Sequence, residues 1–398
     1  MPSGQTTLLI AVPLLVLFGC AAAARQTAES PYVDPRTLQV GQILHLATGR
    51  LLAEPEALEY LGGFPVVYVG ERHDSVEDHA VQLTVLRAME ARFPGQVALG
   101  LEMLQRPFQT DADRFVAGEL SERDFQRVWQ KSWGDFWAYR DILQFAREKR
   151  ISLVALNASA ATRKAVRERS ADAGADLPEI DTGDRYHRAY IDAIFRGHGE
   201  GATDPDTFYR VQLLWDETMA ETAAAYLKSP AGHGRRLVVF AGGNHVRYGF
   251  GIPRRVFRRV PLPFVIVEPY GGEAPAGASK ERLMNVTTPA MPLPPADLYW
   301  VVRYRNAADD QVKLGILIEQ HSTGVRVTGV LPDGPGRAAG LVTGDVIVTV
   351  DGVDVKDTAD LVYEVGRHRR GDVGTLDVLR DGQRLRLAVR YDVVSQGK

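Results

Sequence analysis

Cysteine is almost absent from this chain: its 398 residues contain one, Cys20, so no intrachain disulfide can form. Charge of one sign is also lacking. The 47 Lys and Arg against 50 Asp and Glu leave a formal charge of -3, which indicates no nucleic-acid or acidic-polymer partner. No apolar run reaches the roughly 18 residues of a membrane-spanning helix, so a polytopic membrane protein is excluded. The HExxH, GxSxG, Walker and GxGxxG signatures are missing, and no internal repeat is visible. What remains is 45% hydrophobic and 24% charged, the composition of a globular protein long enough for two or three domains.

The longest apolar run, LLIAVPLLVLF at residues 8 to 18, has the length of a signal-peptide core. It leads into Leu17-Phe18-Gly19-Cys20, which resembles the lipobox of bacterial lipoproteins, although no Lys or Arg precedes the run and Pro13 interrupts it. On that resemblance residues 1–19 are removed and Cys20 carries a lipid anchor to a membrane. Ala21 after the cysteine then favours the outer membrane, with the chain facing the periplasm or the cell surface. The alternative is an ordinary secretory signal cleaved in the following alanines. Both readings export the chain, and a chain without further thiols suits an oxidising compartment.

Composition divides the remainder. Residues 271–310 open on a Gly-, Ala- and Pro-rich stretch and read as a linker. Before it, residues 35–270 alternate apolar strands with helical patterns. The strands are expected at Val66–Val69, Val97–Leu101, Ile151–Leu156, Leu237–Phe240 and Phe264–Val267, and the helices at Val76–Ala91, Phe125–Lys149 and Thr207–Leu227. Near-continuous apolar strands between helices predict an α/β domain with a mainly parallel sheet flanked by helices. After the linker, residues 311–395 are compact and rich in short strands.

Ligands of open parallel sheets bind beyond the carboxyl ends of the strands. Gly70-Glu71-Arg72-His73 follows the first strand, Glu102 ends the second, Asn157 the third, and Gly242-Gly243-Asn244-His245 follows the fourth. Gly-x-x-His occurs twice, each glycine allowing a sharp turn off its strand. Two imidazoles with Glu71 and Glu102 can bind Zn²⁺, Mn²⁺ or Fe²⁺ in a mixed nitrogen and oxygen site, or flank a larger cofactor. His79 is expected behind the site or in solvent. On the Thr207 helix, Tyr209, Gln212 and Asp216 share a face. Trp129, Trp133 and Trp137 recur every four residues and read as core. Residues 184–198 form a cover helix carrying Tyr186, His187, Tyr190 and His198, side chains able to hold ferric haem iron or simply to face water. Arg247, Arg254, Arg255, Arg258 and Arg259 suit carboxylates such as haem propionates, or a solvated basic rim.

In order along residues 60 to 255, GERHD, LEM, WDETMA and GGNHVRYGFGIP are similar to the ChaN-like haem-binding lipoproteins, of a superfamily shared with the Tiki metalloproteases and the erythromycin esterases. The resemblance implies an α/β domain that binds haem through a tyrosine, with a histidine near the propionates across a homodimer. Tyr186, Tyr190 and Tyr248 are the tyrosine candidates, and His73, His245, Gln212 and Asp216 join them as cofactor contacts. The paired histidine motifs resemble those of the Tiki metal site, which implies an alternative: a metal-dependent hydrolase in which Glu71, His73, Glu102 and His245 hold the ion and Glu71 or Glu102 is general base. Residues 311 to 395 resemble a PDZ domain, with Leu314-Gly315-Ile316 in the loop that receives a peptide C-terminus and Thr358 to His368 as the groove helix. A third expectation is an adaptor in which this module alone acts on a protein partner.

Overall fold

A computed structural model of the chain describes residues 33, 37–168, 177–197, 204–271 and 289–392. The export segment with Cys20 lies outside them, as does His198. The first domain holds strands β1 (Ile43–His45), β2 (Arg50–Leu52), β3 (Val66–Val69), β4 (Val97–Gln105), β5 (Ser152–Asn157), β6 (Arg236–Phe240), β7 (Phe264–Gly271) and β8 (Leu298–Val302). Its helices are α1 (Glu54–Leu61), α2 (Val76–Arg92), α3 (Gln109–Ala117), α4 (Glu122–Ser132) and α5 (Phe136–Lys149). These are followed by α6 (Ala160–Glu168), α7 (Arg185–Gly197), α8 (Pro205–Lys228), α9 (Gly243–Val246) and α10 (Ile252–Arg259). Among the described residues no helix is long and apolar enough to cross a membrane.

The sheet runs β2-β1-β8-β7-β3-β6-β4-β5, parallel from β8 to β5, with the β1–β2 hairpin added antiparallel at one edge. Its strands read as unbroken apolar runs because both faces are covered. Val67 and Val69 pack with Val85 of α2, Trp129 of α4 and Tyr139 of α5. Val66 and Tyr68 face the other way, toward Met219 and Ala223 of α8 and Ile252 of α10. A small cluster of Tyr190, Ile194, Tyr209, Leu213 and Phe250 seats α7 on α8.

Two expectations need correction. The segment 271–310, read as a linker, contributes β8, which pairs with β7 on one side and β1 on the other. The Pro-rich lead-in masked a five-residue apolar strand, LYWVV. The helix expected over Phe125–Lys149 is two helices. Trp133 has extended backbone, Gly134 follows, and the Asp135 side chain accepts the Ala138 N–H to start α5 afresh.

The second domain is an antiparallel sheet, β14-β13-β11-β10-β9, with β12 on β11. Its strands are β9 (Ile316–His321), β10 (Gly324–Val330), β11 (Val346–Val350), β12 (Val353–Asp354), β13 (Val373–Arg380) and β14 (Gln383–Arg390). Helices α11 (Pro335–Ala338) and α12 (Thr358–Gly366) complete it. Asp381 and Gly382, both with positive φ, close the β13–β14 hairpin. One face of α12 docks on α4. Arg123 pairs with Asp360 and Glu364, Arg127 pairs with Asp357 and Asp360, and the Tyr363 hydroxyl donates to Glu122.

Because Asp360 and Glu364 are nearly inaccessible to water, removing their cations is costly. The double variant Arg123→Ala/Arg127→Ala is expected to lose on the order of 1–3 kcal/mol, lowering the urea midpoint and speeding proteolysis between residues 303 and 312. An unchanged midpoint and digestion pattern would show that the contact contributes nothing.

Candidate functional site

The chain leaves β3 at Gly70, where a Cβ would stand 2.2 Å from Glu268 Oε2, so only glycine fits without displacing that carboxylate. Arg72 then anchors the turn on Asp78 through its backbone N–H, Nε and Nη2, and Ser75 caps α2. Between these anchors sit Glu71 and His73. Glu71 is sealed from water. It accepts hydrogen bonds from His73 Nδ1 at 2.6 Å, Gln82 Nε2 at 2.6 Å and the Tyr139 hydroxyl at 2.5 Å, and His79 Nε2 stands 3.5 Å away. A carboxylate is acceptor-only, so the Nδ1 of His73 carries the proton and Nε2 is left facing inward.

The second Gly-x-x-His motif mirrors this on β6. The Gly242 N–H donates to Glu102 Oε2 at 2.6 Å, and a Cβ on Gly242 would lie 2.8 Å from His73 Nε2. The short helix α9 then places His245, whose Nδ1 donates to Asp216 Oδ1 at 2.7 Å. The other oxygen of Asp216 accepts from His187 Nε2 at 2.9 Å. Arg255, always a donor, points Nη2 at His187 Nδ1 from 3.2 Å and so fixes that tautomer. The outcome is two imidazoles, each held from behind by a carboxylate, with their Nε2 atoms turned toward one carboxylate: His245 Nε2 is 3.5 Å and His73 Nε2 3.9 Å from Glu102 Oε1. Glu102 reaches this point because β4 bulges between Leu101 and Gln105.

These contacts set the charges. For His73, burial opposes the charged form, but Glu102 and Glu71 outweigh it and lift the imidazole to about 9. His245 is raised too, burial again being overcome by Glu102 and Asp216. Burial alone would raise Glu71 and Asp216; the histidines against them win and hold both carboxyls well below the usual range. At neutral pH the His73 imidazolium therefore offers an N–H donor to an anionic group. Once both rings are deprotonated, the site offers two lone pairs. Among the described residues no group of three or more His, Cys, Asp or Glu side chains is arranged to hold a metal ion as they stand.

Aromatic rings wall the imidazoles. Trp133, freed by the break between α4 and α5, meets His73 edge-on at 4.8 Å between centroids, and Trp215 meets His245 at 5.8 Å. Tyr186, Phe250 and Tyr248 stack in series nearby, with centroids 6.1 and 5.4 Å apart. Tyr248 holds a left-handed backbone (φ 58°), a costly conformation for a tyrosine that points to a local constraint.

The side chains expected from the sequence thus divide. Glu71, His73, Glu102 and His245 converge. Asp216 and Glu71 stand behind the histidines rather than beside a ligand, and Tyr190 is buried with its hydroxyl donating to Asn244. Gln212 is half-buried and its Oε1 has no hydrogen-bond partner. Tyr186 and Tyr248 are half-buried near the surface. The cover helix does not turn His187 to water: it is fully enclosed. The tryptophan stripe, read as core, is fully buried at Trp129, while Trp133 and Trp137 are partly buried against the same core. Tyr139, Gln82 and Trp215 were not anticipated, since a tyrosine or glutamine among core residues carries no spacing signal.

A parallel α/β sheet with paired, carboxylate-backed imidazoles at its carboxyl edge, followed by a peptide-binding type of β-module, defines the class. Half the chain, residues 58–256, matches the model of the family described as haem-binding uptake, Tiki superfamily, ChaN, and residues 312–390 match that of the PDZ domain. The chain belongs to that ChaN family and carries a PDZ domain. Over 66 residues it is 42% identical to a probable periplasmic serine endoprotease, DegP-like, of Ectopseudomonas mendocina and 41% identical to that of Pseudomonas savastanoi. Each match covers 17% of this chain and only 14% of the relative's length. Among solved structures, ChaN of Campylobacter jejuni with cofacial haem is similar at a TM-score of 0.49 and 19% identity, over 67% of this chain and 97% of that one. The HtrA-type protease AlgW with a decapeptide is similar at a TM-score of 0.20 and 28% identity, over 23% of this chain and 30% of that one.

The sign of the pH dependence follows. His73 is raised from 6.5 to about 9 in the folded chain, so its contribution to stability is complete below about pH 6.5 and lost as pH rises through 9. Glu71 is lowered, so its contribution is present above about pH 4.5 and lost on acidification. The thermal midpoint is expected to fall between pH 7 and pH 10, and Glu71→Gln to move the His73 imidazole signal, followed by NMR, to a lower titration point. Titration of wild-type His73 at 6.5 or below would contradict the assigned pairing.

Proposed function

We propose that the chain is an exported envelope protein that binds haem at the mouth of the His73–His245 site, while its PDZ domain recruits a protein partner. The reading is carried by the pair of imidazoles held over Glu102 at the sheet edge, in a chain whose larger domain belongs to a haem-binding family. The surrounding residues fit a flat macrocycle with two carboxylates. The half-buried rings of Tyr186 and Tyr248, stacked on the buried Phe250, and the edges of Trp133 and Trp215 give apolar surface, and Arg247 and Arg254, paired with Glu268 and Asp184, stand in the same region for propionates. Haem supplies an iron centre that a phenolate or imidazole can ligate. Tyr248 and Tyr186 are the residues offered for that role. His73 and His245 donate N–H to the anionic edge, and Glu71 and Asp216 keep both rings oriented. Cys20 lipidation, attachment to the outer membrane and a homodimer belong to the same reading.

A divalent ion is the second reading, favoured by one observation: both Nδ1 atoms are tied to carboxylates, the arrangement that orients metal-ligating histidines. Here His73, His245 and Glu102 hold the ion, and Glu71 positions His73.

Haem titrated into the chain lacking residues 1–20 is expected to give a stoichiometric Soret change with the charge-transfer band of a tyrosinate ligand. Tyr248→Phe or Tyr186→Phe is expected to remove that band, and His73→Ala to weaken binding on the order of tenfold or more. Stoichiometric heat with Zn²⁺ or Mn²⁺, abolished in His73→Ala, together with no Soret change, would replace haem by the ion.

A further inference from the structure

The two domains together line a partly open cavity of about 710 Å³. Helix α5 and His79 of α2 make one wall, and Val362 and Gly366 of α12 make the other. Its lining is cationic: Arg140, Arg305, Lys313, Arg367, Arg369 and Arg370 against Asp141 and Asp310. Arg140, Arg305 and Arg367 already have carboxylate partners in Glu122, Asp310 and Glu364. Among the described residues Lys313, Arg369 and Arg370 make no ion pair, Asp135 being the carboxyl that feels the Lys313 charge, so the lining keeps a net positive charge.

The cavity lies where the PDZ groove ends. Strand β9 is the free edge of its sheet, and α12 packs beside it. Val362 is 45% exposed on that helix. Lys313 precedes Gly315, whose φ of 69° turns the chain into β9. A peptide strand added to β9, antiparallel and ending at this turn, would bring its C-terminal residue to the mouth of the cavity beside Lys313 and Val362.

We propose that the inter-domain cavity completes the PDZ groove and takes a polypeptide C-terminus whose final residue is acidic. The inference rests on the reading that the PDZ domain binds peptides, and it adds that the first domain supplies part of the binding surface and that charge selects the ligand.

The test is fluorescence anisotropy on the chain lacking residues 1–20, with three labelled decapeptides of one sequence: ending in Glu, ending in Val, and ending in Glu amide. The Glu peptide is expected to bind on the order of tenfold more tightly than the other two. Arg369→Ser/Arg370→Ser, two exposed positions, is expected to erase that preference, and Arg140→Gln in the first domain to reduce it. Far-UV circular dichroism and the urea midpoint serve as the folding controls for the double variant. Equal affinity for the Glu and Val peptides, tight binding of the amide, or a preference that survives all three substitutions would overturn the proposal and leave the PDZ reading standing. Binding of none of the peptides would overturn both.

Discussion

Asp216 has no contact with solvent, yet both its oxygens are occupied, one by His245 from the turn after β6 and one by His187 from α7. A carboxylate removed from water is stable only if donors meet its charge. This demand ties together the cover helix, the long helix α8 and the second histidine motif. Glu71 performs the same function for the first motif, with three hydrogen-bond donors drawn from the β3 turn, α2 and α5. Loss of either carboxylate would free a ring and leave its imidazolium without a counter-charge. The orientation of the two rings is thus a consequence of two buried negative charges, which leave both Nε2 atoms facing Glu102.

The sheet order explains why two motifs more than 170 residues apart meet. Strands β3, β6 and β4 are neighbours, so the turns after the first two and the bulge in the third open onto one edge. Gly242 is the closest approach between them, and its missing side chain is the space His73 occupies. Any larger residue there pushes the imidazole off Glu102.

Much of this was legible in the amino-acid order. Strands whose both faces are covered read as apolar runs, and Gly-x-x-His recurs at the ends of two of them, so the sheet, its polarity and the converging Glu71, His73, Glu102 and His245 follow from pattern. What did not follow had no periodic signature. Trp133 kept the spacing of a core stripe but sits at a helix break created by Gly134 and Asp135, and so faces His73. Tyr139 is an ordinary core aromatic until its hydroxyl is seen on Glu71. His187 was placed on the right helix but on the wrong side of it, because a buried histidine is recognised by its partners, and those lie 29 and 68 residues away.

Strand β8 lies between the two family-matched spans, in neither 58–256 nor 312–390. It nevertheless closes the main sheet, and the β1–β2 hairpin has no other strand to hold it there. The structural boundary between the modules therefore falls after Val302, well past the Gly- and Pro-rich stretch that looks like one. A cut at the compositional boundary would leave the second module carrying a strand that belongs to the first, and the β1–β2 hairpin without its neighbour.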